Sequence, residues 1–588
     1  MTVHAAYQAL PPAAPKASVA SALDAITNAP LGALGNEDRA ALIQLLVDDI
    51  VAARAGQPSR LSSKDVAQAL GAIKSIGRVE AGSRVIATEQ NLRHFLAFAS
   101  DLSNADASKQ AMRCIANAIL LVPSGRDTLV DIEGDEFCTR LYINETSPEY
   151  LFLASRLLFF MAHTDGDFVS RVVKQHRLPT LLAQRLETLA AAVQNDAPMA
   201  KDALTDMLKL HFTVVSKYSR LEGNGSNSVL GEYWDEVFEP TAAPLIKLLH
   251  TLPSIPSAPL APPLTHAIHA LLNVPVAPYA HLLFPEPRSG SPAGQPSASS
   301  PRSSRSSSGG ATQSPRPSFS GEKANLAGSA VETGASGNGS GGGSPLSRAL
   351  NLLNRKSSPP RSKPSSPSPT STGLPPSDSA LRALQLLQST LALYLPGNSD
   401  PDDSSVRNAA RAKGVVLDEL VPPVAAFITR LVAGDTGART RIAAAVVPAD
   451  LDRSSPLEKR DDFLGRCLRL MTSVYYPVLK DAVGEMLFTI CGSDGQALSA
   501  AIGYGNAAGF LYNKGIMAPP PASAGGDDVN PITGTKQTDT GPSLDEMSDE
   551  EKQREAERLF VLFDRMERMG MAKNPIREAY QSGKLQDP

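Results

Sequence analysis

Aromatic residues are scarce in this sequence. They make up 5% of its 588 residues, and Trp234 is the single tryptophan. A large core built without them must draw on Ala, Leu, Val and Ile, which favours helix over a β-sandwich. Paired cysteines are missing too. Cys114, Cys138, Cys467 and Cys491 form no CxxC pair and sit in or beside apolar runs. That usage fits small buried hydrophobes in a reducing compartment, and neither a disulfide framework nor a zinc site. Long apolar runs are also absent. The most apolar stretch, Tyr150 to Ala162, is too short to span a bilayer and is interrupted by Arg156. No basic segment followed by an apolar one opens the chain, so no secretory signal is expected, and the Asn144-Glu145-Thr146 acceptor triplet is discounted with it. The net charge of −4 rules out a globally basic nucleic-acid binder.

Charge is concentrated in two places. Arg288 to Asp378 carries +7, and Gly526 to Glu551 carries −7. Both segments are poor in apolar residues. Residues 287–378 are rich in Ser, Gly and Pro, which cannot bury enough surface to offset ordering entropy. They read as a disordered basic insertion. Its Ser-Pro pairs, such as Ser300-Pro301 and Ser314-Pro315, fit kinase sites or plain low complexity.

On either side the chain reads as helix after helix. Met112, Ile115, Ile119 and Val122 follow helical spacing until Pro123. Leu204, Met207, Leu208, His211 and Val215 do the same, as do Leu381, Leu384, Leu387, Leu391 and Leu395. Helical patterning continues through Leu417–Val432, Phe463–Met471, Val478–Cys491 and Ala497–Leu511. At roughly 40 residues per unit, these blocks make about ten degenerate armadillo- or HEAT-like repeats. The expected fold is all-α: a helical-repeat superhelix with a long disordered insertion and a C-terminal tail helix. The divisions are repeats at 1–286, the insertion at 287–378, repeats at 379–517, an acidic linker at 518–547, and a tail at 548–588. Ser548 with Glu551 forms a capping box for the tail helix, and Leu559, Phe563 and Met566 make its apolar stripe. Such a helix is marginal alone and needs a docking surface.

Motifs for covalent chemistry are lacking. There is no P-loop, no G-x-S-x-G and no HExxH. His266 and His269 stand in an HxxH spacing with no third ligand near, which favours a core or surface pair over a metal site. Gly503-Tyr504-Gly505-Asn506-Ala507-Ala508 fits a loose dinucleotide pattern, but a helix precedes it where that chemistry needs a strand. A tight inter-helix turn, with Asn506 capping the next helix, is the better reading. Lys74 with Arg78, and Arg407 with Arg411, each place two cations at i, i+4 spacing. Each pair is either a solvated face or half of an anion site.

Gly503 to Gly509 followed by Leu511, then Asn530-Pro531-Ile532-Thr533-Gly534, then Met547 to Lys552 with Glu555-Ala556 and Phe563-Asp564, appear in fixed order. Together with Met112-Arg113-Cys114, Asn117 and Leu420 to Pro423, they resemble the synembryn family of G-protein exchange factors and chaperones. The resemblance covers both helical blocks and the tail. It implies a guanine nucleotide exchange factor and folding chaperone for heterotrimeric G-protein alpha subunits, acting without covalent chemistry and without a cofactor or metal. Such a protein holds the carboxy-terminal helix of the alpha subunit in a concave groove and stabilises the nucleotide-free state. By position, Lys74, Arg78, Asn117, Arg407 and Arg411 resemble the groove residues. Leu559, Phe563 and Met566 resemble the tail segment that reaches the nucleotide domain. The resemblance further implies a cytoplasmic monomer, compatible with peripheral recruitment to the plasma membrane. Animal members carry an acidic phosphorylatable cluster where this chain has only Asp527 and Asp528, so Ser543 and Ser548, each with an acidic residue at +3, are the phosphorylation candidates. The competing reading is an armadillo scaffold or adaptor without exchange activity.

Overall fold

The computed structural model describes residues 2–12, 14–222, 233–284, 378–516, 529–530 and 532–536. The insertion up to residue 377, the acidic linker apart from 529–530 and 532–536, the tail helix, and Ser543 and Ser548 therefore lie outside the described residues. Within them the fold is all-α, as expected of stacked helical repeats, and the described residues hold no strand beyond two isolated bridges.

The helices stack in sequence-local groups, and a row of long ones runs through the stack. Lys16–Asn28 packs on Val66–Ile76, which packs on Ala105–Leu121. That helix packs on Pro148–Met161, which packs on Ala200–Glu222. The row continues through Leu264–Leu271, Pro422–Gly434 and Pro477–Ile490. Each member buries a leucine-, alanine- and isoleucine-rich stripe. Met112, Ile115 and Ile119 are buried, and so are Leu204, Met207, Leu208, His211 and Val215. Side-chain caps define many of the starts. Thr88, Asn104, Asp435, Asp462 and Asp494 each accept from a free N–H in the first turn.

The blocks before and after the insertion join directly. Asp378 caps helix Ser379–Tyr394 by accepting from Ala380 N (2.9 Å) and Leu381 N (3.0 Å). Its second oxygen takes Arg441 Nε at 2.6 Å. Arg382 donates to the carbonyls of Leu249 and Leu252, and Arg430 to those of Leu272 and Val274. His250 Nε2 lies 3.0 Å from Ser379 Oγ. These bonds satisfy helix-end carbonyls that would otherwise be orphaned.

The four cysteines carry free thiols. Cys114, Cys138 and Cys467 are fully buried, and burial pushes the thiols up, to about 12 for Cys114 and about 11 for the partly buried Cys491. They are inert packing residues.

Candidate functional site

Helix Val66–Ile76 ends at Ile76, and the cap residue Gly77 donates to the Ile73 carbonyl. Lys74 sits in its last turn, half-buried, while Arg78 lies beyond it in the following turn. The two therefore do not share a helix face, contrary to the i, i+4 reading. The next helix, Glu80–Ile86, packs close at Gly77, where an added Cβ would stand 2.7 Å from Ile86 Cδ1.

Lys74 faces the Ala105–Leu121 helix. Its ammonium is held below the usual lysine range by desolvation first and then by Arg113. Lys109, Arg113 and Asn117 stand at i, i+4 and i+8 on that helix, all half-buried. Glu149, from the next helix of the row, bridges two of them. It binds Lys109 Nζ at 2.8 Å and also pairs with Arg113 Nη2. Burial pushes the Glu149 carboxyl up, but those two hydrogen bonds outweigh it and hold it below the ordinary carboxylate range. Lys74 and Asn117 thus belong to one polar patch in which cations outnumber the single carboxylate.

Arg407 and Arg411 do share a face, on helix Ser404–Ala412. Asp403 caps that helix through Ser405 N at 2.8 Å. Arg407 donates from Nε to the Asp402 carbonyl (3.2 Å), and its guanidinium lies 3.7 Å from the centroid of the Tyr475 ring. Asp402 in turn anchors the Thr472–Tyr476 turn. It accepts from Ser473 Oγ at 2.5 Å, Val474 N at 2.8 Å and Tyr475 N at 3.4 Å. Asp418 accepts from Leu479 N at 2.8 Å and draws the start of the next helix alongside. The outcome is an exposed apolar group beside two cations: Val474 80%, Tyr475 56%, Val478 54% and Val416 53% exposed. Apolar residues this exposed, side by side and fixed by carboxylate hydrogen bonds, mark an interaction surface more often than chance. Sequence reasoning missed them. The available signal was Val474-Tyr475-Tyr476 just before Pro477, outside any helical stripe.

Among the described residues, no hydrogen bond, ion pair or ring contact joins the Lys74–Asn117 patch to the Arg407–Arg411 patch. The four cations therefore do not form one bonded cluster.

The glycine motif has a structural explanation. Helices Gly495–Ile502 and Tyr504–Asn513 meet at Gly503, with φ +84° and ψ 139°. A helix, not a strand, precedes the glycines. Asn506 does not cap the second helix; its Nδ2 donates to the Ile502 carbonyl at 2.8 Å and closes the first. The Asn530–Thr535 turn folds on itself. Asn530 Oδ1 accepts from Ile532 N (2.9 Å), and Gly534 N donates to the Asn530 carbonyl (2.8 Å). This turn lies against the glycines: Gly505 N donates to the Ile532 carbonyl at 2.8 Å. Arg453 clamps it, with Nη1 on the Gly534 carbonyl (2.7 Å), Nη2 on the Ala501 carbonyl (2.9 Å) and its own carbonyl on Lys536 N (2.7 Å). Two motifs some thirty residues apart in the chain are thus one contact.

His266 and His269 pack edge to face, with centroids 5.5 Å apart, and desolvation lowers both pKa values. Among the described residues, no helix is long and apolar enough to cross a membrane.

Comparison with known proteins places this architecture. The family described as guanine nucleotide exchange factor synembryn matches over residues 69–584. A synembryn-like chaperone of Schizosaccharomyces pombe is 30% identical over 185 residues, covering 28% of this chain and 35% of that protein. Chaperone Ric-8A of Rattus norvegicus is 30% identical over 167 residues, 26% of this chain and 31% of its own length. Chaperone ric-8 of Caenorhabditis briggsae is 30% identical over 185 residues, 28% and 32% respectively. The chain thus aligns with about a third of the length of these curated relatives.

Proposed function

Because the chain belongs to the synembryn family of guanine nucleotide exchange factors, we propose that it is an exchange factor and folding chaperone for heterotrimeric G-protein alpha subunits. The observation that carries this reading is the Arg407–Arg411 face with its stacked Tyr475 and exposed valines. Two cations beside apolar side chains suit the carboxyl end of a helix that ends in hydrophobic residues. Arg407 is pre-positioned by its Asp402 bond and its ring contact, so little side-chain entropy is lost on binding. The Lys74–Asn117 patch meets the same helix elsewhere along its length. A captured helix of about twenty residues is about 30 Å long.

The mechanism needs no bond-making by this protein. An alpha subunit whose terminal helix has been pulled away holds its nucleotide loosely. A partner that binds this opened conformer better than the closed one shifts the population toward it, and GDP leaves. The same preference supports a nascent alpha subunit before its nucleotide is bound. The tail helix, with Leu559, Phe563 and Met566, is the second contact in this scheme, on the nucleotide domain. The protein acts as a monomer in the cytoplasm, with its substrate at the membrane surface. The test is binding of a synthetic peptide, copied from the carboxyl terminus of an alpha subunit, to the wild type and to Arg407→Glu with Arg411→Glu. The reading expects the double variant to lose binding while keeping its helical content; equal affinity would reject it.

A further inference from the structure

A cavity of about 570 Å³ opens between the loop after helix Ser379–Tyr394 and the loop at 454–461. Gly397, Asn398, Ser455, Lys459, Arg460 and Asp461 line it, and none of them belongs to the partner-binding patches. Its walls are held by Arg469, which donates to the carbonyls of Gly397 (3.0 Å), Ser399 (3.1 Å), Glu458 (2.6 Å) and Arg460 (2.7 Å). Arg466 likewise uses its Nε on the Leu395 carbonyl (2.8 Å). Both guanidinium groups bond backbone oxygens, and neither has an ion-pair partner among the described residues. Desolvation lowers the Arg469 pKa, with Arg466 the next cause, while Asp462, Asp400 and Asp461 oppose them, so cations and carboxylates are interleaved around this cavity. Arg460 is paired with Asp462 (2.7 Å), whereas Lys459 has no ion-pair partner among the described residues. Asp461 is the opposing carboxylate on the rim. Ser399 Oγ is shielded from solvent and has no hydrogen-bond partner.

Ser455 lies in this wall within Arg453-Ser454-Ser455-Pro456, an irregular segment whose two serines are exposed. We propose that Ser455 is a proline-directed phosphorylation site whose phosphate is received by this cavity. In the transfer, the γ-phosphoryl group of ATP passes to Ser455 Oγ. A P–O bond to the serine forms, the bond to ADP breaks, and the hydroxyl proton goes to the kinase's base. The product carries close to two negative charges and three acceptor oxygens. Lys459 and Asn398, both in the lining, supply donors, with Arg466 and Arg469 behind the wall. The phosphate would tie the 396–399 loop to the 454–461 loop. The first leads through Asp402 to the Arg407 helix, and the second directly follows Arg453, so the tie couples the proposed partner face to the clamp on the Asn530–Thr535 turn.

The experiment treats the full chain with ATP and a purified proline-directed kinase, then locates phosphate by site-resolved mass spectrometry and follows amide hydrogen exchange. Phosphate at Ser455 is expected, with exchange of the 397–399 amides slowed about three- to tenfold. Lys459→Ala should accept phosphate and lose most of that slowing. Ser455→Ala should retain only phosphate added at other Ser-Pro pairs. Absence of phosphate at Ser455, or full phosphorylation with unchanged exchange at 397–399, overturns the proposal. Equal slowing in Lys459→Ala overturns the assignment of the cavity as receiver.

Discussion

Gly503→Ala should release the Asn530–Thr535 turn, whereas Gly509→Ala in the same motif should do nothing. At Gly503, φ is +84° and an added Cβ would stand 2.6 Å from the Thr533 carbonyl carbon and 2.7 Å from Gly534 N. Backbone strain costs about 1–3 kcal/mol there, and forcing an atom into packed backbone costs about 1–3 kcal/mol more. The turn is held by a few hydrogen bonds to Gly505 and Arg453, each worth about 0.5–1.5 kcal/mol net. The penalty is comparable to the docking energy, so the turn yields before the helices do. An opening equilibrium shifted by about 2 kcal/mol exposes the Lys536–Gln537 bond roughly thirtyfold more often. Trypsin cleavage at that bond, followed by mass spectrometry, reads it directly. The Gly503→Ala rate should rise about tenfold or more, while the melting temperature falls only slightly. Gly509 is exposed within helix Tyr504–Asn513, and an added Cβ meets nothing within 4 Å. Its alanine variant should match or exceed wild-type stability, by up to about 1 kcal/mol. Equal cleavage rates in the two variants would refute the assignment of Gly503 to the motif–motif contact.

Other outcomes follow from the same geometry. Arg407→Glu with Arg411→Glu should weaken binding of the carboxyl-terminal peptide at least about tenfold. Its melting temperature should move far less than that loss implies, because Arg411 is exposed. Tyr475→Ala should cost about three- to tenfold in the same titration, since it removes the ring under Arg407 and much of the apolar patch. Removing 548–588 should spare peptide binding and reduce exchange; undiminished exchange would refute the role of the tail as the second contact. Stability should depend on acid. His211 is fully buried, and desolvation lowers its pKa to about 4, below the unfolded value near 6.5. Stability is therefore full above about pH 6.5 and falls as the unfolded chain gains a proton the folded one refuses. At pH 5 the loss from this group is about 2 kcal/mol. Denaturant titrations at pH 7.5 and pH 5 check it, and a flat profile would show that His211 is not sealed from solvent.

Much of the fold was legible because helical periodicity survives in degenerate repeats. The stripes at Met112–Ile119, Leu204–Val215 and Leu384–Leu391 are buried as their spacing predicts. Helix ends were less so. Arg78 reads as one turn beyond Lys74, yet Gly77 ends the helix through a close approach that only the tertiary structure dictates. Asn506 has the right residue type for an N-cap, but its amide is captured by the preceding helix. The Tyr475 patch left no periodic trace. It is exposed and irregular, and it is organised by Asp402, more than seventy residues away in sequence. The pairing of the two glycine-bearing motifs was visible as order along the chain but not as contact. Proximity between a helix junction and a turn has no local signature.

The central claim is that this protein prefers an alpha subunit with its nucleotide site opened. Uptake of a fluorescent GTP analogue by a purified GDP-bound alpha subunit measures that preference directly. Increasing amounts of the wild type should raise the uptake rate in a dose-dependent way, and Arg407→Glu with Arg411→Glu should not. An unchanged rate at saturating, demonstrably bound protein would contradict the claim.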